Sequence, residues 1–176
     1  YFLLTTAYSL FLKRLPMVDT LCLACLYTLR IVAGAVATGI PLSFWLLLFS
    51  VFFFLSLAWV KRCAELDLIQ KRGLSRADGR DYGAEDLPLL KVFGITSGYI
   101  SVLVLALYVN SPAVMALYQH PQIIWFLCLL MLYWINRVWL KTHHGKMHDD
   151  PVVFALKDKT SFVIGLLALL TLLAAT

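Results

Sequence analysis

Long apolar runs separated by short charged stretches make up this chain. Six runs stand out, over residues 1–12, 20–40, 42–60, 92–109, 121–140 and 162–176. They are continuous, whereas strands of a membrane barrel alternate apolar and polar positions. A helix needs about 20 mainly apolar residues to cross hydrocarbon. In lipid only helices and closed barrels satisfy their own backbone. The pattern therefore predicts an all-α integral membrane protein with six transmembrane helices. The middle four runs meet the length requirement, and the last is marginal. The first opens with Tyr1, Phe2, Leu3 and Leu4 and reads as a span cut short, so a fragment is expected.

Composition points the same way. Of 176 residues, 61% are hydrophobic and 14% charged, against about 25% charged in a soluble domain. Mean hydropathy is +0.83. A domain this small buries only about two thirds of its surface, so it cannot hide that much apolar side chain from water. Disorder is excluded too, because disordered chains are poor in hydrophobes. Cys22 and Cys25 form a CxxC inside an apolar run and read as small packing residues.

The charges sort the loops into two alternating sets. Lys13 and Arg14 follow the first run. Seven basic residues lie in 61–91 and five in 137–159, and the remaining one is Arg30. Loops 39–43 and 110–122 carry no Lys, Arg, Asp or Glu. Excess Lys and Arg mark cytoplasmic loops, so the charged loops are placed on the cytoplasmic side of the cell membrane and the C-terminus outside. The net charge of +5 belongs to this topology, not to nucleic acid.

The same loops hold acids, which the topology rule does not need. Lys61 and Glu65 are four apart and share a helix face beside Arg62. Together they read as a phosphate- and metal-binding edge, or as a headgroup anchor. Mg²⁺ takes oxygen ligands and bridges carboxylate to phosphate. Tyr8, Ser9 and Lys13 close the first run on the same side. Arg30 lies within an apolar run, where a charge is expensive and faces a cavity or a partner; it reads as functional or as a structural ion pair, with Glu65 a candidate. His143, His144 and His148 resemble a metal cluster but read more simply as solvated, and Gly145 and Pro151 argue against a long helix there. Asp149, Asp150 and Asp158 read as oxygen ligands near phosphate.

The order YSLFLK (8–13), LRIVAGAVATGIPLSFW (29–45), VKRCAEL (60–66) and MHDDPVVFALKDKTS (147–161) resembles the UbiA superfamily of intramembrane prenyltransferases. It is most similar to the branch containing decaprenyl-phosphate phosphoribosyltransferase, some members of which carry a fused haloacid-dehalogenase-like domain. The resemblance covers essentially the whole chain. It implies the C-terminal six helices of a nine-helix bundle with a polar cavity facing the cytoplasm, and it leaves an upstream soluble domain open. By the same resemblance, Tyr8, Ser9, Lys13, Arg62, Arg80 and Tyr82 meet substrate phosphates. Lys61, Glu65 and Arg30 are the expected catalytic residues, with Glu65, Asp150 and Asp158 as metal ligands. An Asp-rich motif carrying most Mg²⁺ ligands is expected upstream of Tyr1, so this piece alone is expected to be inactive. Lys61 stands where aromatic prenyltransferases carry the first Asp of DxxxD, which favours phosphate on both substrates. The expected partners are an isoprenoid lipid, a diphosphate donor and membrane lipid. A transporter or a non-catalytic scaffold is the rival; the neutral outer loops disfavour a through-path.

Overall fold

The computed structural model describes residues 2–71, 82–147 and 150–176. They form eight α-helices: α1 (Phe2–Leu10), α2 (Val18–Thr38), α3 (Phe44–Lys71), α4 (Leu87–Val109), α5 (Pro112–Leu117), α6 (Trp125–His143), α7 (Pro151–Lys157) and α8 (Lys159–Ala175). Four elements, α2, α3, α4 and α6, are long and apolar enough to cross a membrane, α4 and α6 each with a short 3-10 turn before it. The bent pair α7–α8, at 79°, makes a fifth if it counts as one span. Of the six expected spans, four to five are therefore supported. Nine residues in α1 reach only about 13 Å, against the ~30 Å of a hydrocarbon core.

α3 exceeds its apolar run. Its 28 residues span about 42 Å, so its last turns pass the ~30 Å hydrocarbon layer. Those turns carry Lys61, Arg62, Glu65 and Asp67. α2 ends at Gly39, whose φ of +68° lets its N–H return to the Ala35 and Val36 carbonyls. α5 and α7 were not expected. Each begins with a proline at its first turn behind Ser111 or Asp150, an arrangement suited to helix starts.

α2, α3, α4 and α6 pack side by side. Gly94 and Gly98 of α4 make room for α6: a Cβ on Gly94 would lie 2.1 Å from the Trp139 ring, and one on Gly98 2.8 Å from Ile135. The polar atoms at this seam pair with one another. Ser56 Oγ donates to the Gly94 carbonyl at 2.7 Å and accepts from Trp139 Nε1 at 3.1 Å. Small hydroxyls such as Thr28 and Ser97 return to carbonyls of their own helix, at Ala24 and Phe93, which suits a solvent that offers no hydrogen bonds.

Candidate functional site

The polar groups gather where α2 begins, α3 ends, α4 begins and α7 begins. Lys61 extends from α3 and its Nζ meets Asp150 Oδ2 at 2.9 Å. Asp150 caps α7, accepting from the Val152 N–H at 3.0 Å. Both side chains remain open, 38% and 27% exposed. A narrow cleft beside them is lined by Leu23, Tyr27, Leu57 and Val152. Glu65 lies one turn beyond Lys61, is 31% exposed, and pairs with Arg62 Nη1. Lys61 thus has a carboxylate on its own helix and another on α7.

Arg62 points the other way. It is fully buried, and its Nη2 lies 2.6 Å from Oδ2 of Asp19, which is also fully buried. This approach is a charge–charge contact off the hydrogen-bonding direction, and Arg62 Nε has no hydrogen-bond partner among the described residues. Tyr82 closes the group. Its hydroxyl donates to Asp19 Oδ1 at 2.8 Å and accepts from the Met17 N–H. Burial, with some help from Asp19, pushes the Tyr82 phenol up to about 12. Met17 itself has a φ of +66°, and the Val18 N–H returns to the Pro16 carbonyl at 2.8 Å. That is a γ-turn of the rare, strained kind.

Asp158 belongs to a separate cluster. Arg137 grips it through two hydrogen bonds, of 2.6 and 2.9 Å. Lys141 adds a third at 3.1 Å. The Ser161 N–H and hydroxyl donate to the same carboxylate at 2.8 and 3.0 Å, which caps α8 at the bend.

The structure thus brings Lys61, Glu65 and Asp150 together and leaves Asp158 with α6 and α8. Arg30 lies on the exposed side of α2, its guanidinium 4.9 Å over the Tyr27 ring. Tyr27 stacks on Phe54 at 5.0 Å, which sets Arg30 level with the middle of α3. Glu65, the candidate partner of Arg30, pairs with Arg62 on its own helix. Tyr8 is half-buried, while Ser9 and Lys13 are exposed; α1 packs on α2 and its own following turn, and Ser9 donates to the Thr5 carbonyl. Arg80, Asp149 and His148 lie outside the described residues. Asp19 was missed from sequence. A lone acid in the first turn of an apolar span was the available signal.

As for Mg²⁺, no group of three His, Cys, Asp or Glu able to hold a metal occurs among the described residues. Glu65 and Asp150 are partly exposed carboxylates on either side of a lysine. That donor set fits a magnesium ion shared with substrate phosphates, since Mg²⁺ commonly takes only one or two carboxylates there.

The fold and this mouth define a multi-pass α-helical membrane protein with a polar site at the charged ends of its spans. The chain belongs to the UbiA prenyltransferase family, whose model matches residues 1–162. It is 41% identical over 168 residues to the uncharacterized protein y4nM of Sinorhizobium fredii, covering 95% of this chain and 33% of that protein. It is 35% identical over 150 residues to the nodulation protein NoeC of Azorhizobium caulinodans, covering 84% and 48%. Over 73 residues it is 40% identical to decaprenyl-phosphate phosphoribosyltransferase of Mycobacterium tuberculosis, covering 42% and 24%. The chain spans less than half the length of these relatives.

Proposed function

We propose that the protein containing this chain is a membrane transferase that breaks the carbon–oxygen bond of a diphosphate donor, with a polyprenyl phosphate or diphosphate as its lipid partner. The observation that carries this reading is the Lys61–Asp150 pair at 2.9 Å beside Glu65, just past the apolar run of α3. Phosphoribosyl transfer is the version we favour. The donor is then a phosphoribosyl diphosphate, and an anionic phosphate oxygen of the polyprenyl phosphate attacks the sugar carbon. The bonding pair leaves with the diphosphate.

Lys61 is placed to take up charge growing on the leaving oxygens, an effect worth most where water is excluded. Asp150 holds that ammonium in place until phosphate competes for it. Glu65 and Asp150 would hold Mg²⁺, which supplies charge neutralisation on the diphosphate when bound. The apolar faces of α2 and α3 keep the isoprenoid in lipid. The membrane side of this site follows from the loop charges, which support a cytoplasmic mouth and an external C-terminus.

The test uses the full-length protein in lipid nanodiscs with polyprenyl phosphate and labelled donors. Label passing from phosphoribosyl diphosphate into the lipid phase supports the favoured version. Label passing only from an allylic polyprenyl diphosphate to an aromatic acceptor replaces it with ordinary prenyl transfer. No transfer from either donor contradicts the enzyme reading.

A further inference from the structure

We propose that Asp19, Arg62 and Tyr82 form a buried lock that positions Glu65 and pins the chain at Tyr82 against the ends of α2 and α3, with Arg62 a positioning residue and not a phosphate ligand. The lock stands on its own contacts; its effect on turnover rests on the function proposed above.

The geometry separates neighbouring residues. Lys61 is 38% exposed and Arg62 not at all. A guanidinium that serves phosphate must be reachable, whereas this one is spent on two carboxylates: Nη2 faces Asp19, and Nη1 holds Glu65. Its carbon centre lies 6.0 Å from the Tyr82 ring centre. The Tyr82 ring meets Trp59 edge-on at 6.3 Å. A single polar cluster therefore joins the start of α2, the end of α3 and the lead-in to α4. The strained turn at Met17 is held by the same hydroxyl that Asp19 holds. Charges buried this deeply are costly unless paired, and losing one partner strands the other. Glu65 is the outlet of the lock, because Arg62 fixes one of its oxygens while the side chain stays partly open.

Hydrogen exchange and steady-state kinetics of the full-length protein test this. Tyr82→Phe keeps the ring and removes the hydroxyl; Arg62→Lys keeps the charge and removes the fork. Both should speed amide exchange across 82–86 by roughly tenfold, the effect of losing one buried hydrogen bond. Arg62→Lys should also lower kcat about tenfold or more while leaving the donor KM within about twofold, as for an interaction made in the transition state only. Should Arg62→Lys fail to fold, the neutral pair Asp19→Asn with Arg62→Met takes its place, with the same expectations. Unchanged exchange across 82–86 overturns the lock. A donor KM raised about tenfold with kcat kept would make Arg62 a phosphate ligand and overturn the positioning role. If the wild type transfers no label, the enzyme reading fails and the exchange result alone decides the lock.

Discussion

Lys61 and Arg62 are adjacent in sequence and opposite in environment, and the difference decides what each can do. A helix turns about 100° per residue, so one side chain faces the cleft by α7 and the next faces α2. The same logic divides the aspartates. Asp150 keeps an open carboxylate beside Lys61, while Asp158 is saturated by Arg137, Lys141 and Ser161. Asp158→Asn should therefore cost about 2–4 kcal/mol, from several charge-assisted bonds and a cap. The loss of thermal stability in detergent should be the same with and without added Mg²⁺; a loss confined to Mg²⁺-containing samples would make Asp158 a metal ligand instead. Tyr82 gives a pH signature. Its phenol ionises near 12 when folded and near 10 when unfolded. A raised folded value favours the neutral form, so its contribution is complete below about pH 10 and fades as pH rises towards 12. The fade amounts to about 2–3 kcal/mol at most. The stability gap between wild type and Tyr82→Phe should stay constant from pH 7 to about 10 and narrow above it.

At the scale of elements, the α4–α6 seam depends on two glycines. Gly94→Ala puts a methyl into the Trp139 and Trp59 side chains, and overpacking of this kind costs roughly 1–3 kcal/mol. A clear drop in detergent melting temperature is expected, and an unchanged one would mean that α6 sits further away. Much of this level was legible in the sequence. The apolar runs located α2, α3, α4 and α6, and Gly145 and Pro151 bracketed the break between α6 and α7. The last turns of α3, from Leu66 to Lys71, were not legible as helix, because hydropathy reports lipid contact and falls silent where a helix continues into polar surroundings. α7 and α8 were hard for a related reason. The bend is set by Asp158 contacts with α6, which are distant in sequence. At the site, Lys61 and Glu65 were readable from i,i+4 spacing. The buried partner of Arg62, Asp19, was not, since no spacing rule links Asp19 to α3.

For the whole molecule, the family places the chain in a membrane, and the loop charges predict its orientation. In a cysteine-free version of the full-length protein, Ser111→Cys should react with an impermeant maleimide on intact cells. Lys146→Cys should react only after permeabilisation. The reverse labelling would invert the topology and move the mouth to the outer face. A groove of about 650 Å³ between α4 and α6, lined by Tyr99, Val102, Phe126 and Leu129, lies towards the neutral loops. It is roomier than the cleft at Lys61, yet it holds no charged group. The chemistry is placed at the charged end because polar groups with partners, not volume, make a phosphate site.

In the proposed reaction Lys61 serves the leaving diphosphate. The most direct measurement is kcat/KM for the labelled donor in full-length Lys61→Met, alongside Glu65→Gln. A fall of about 100-fold or more is expected for Lys61→Met, the scale of losing one preorganised electrostatic partner, with folding retained. Donor turnover equal to wild type in both variants would contradict it.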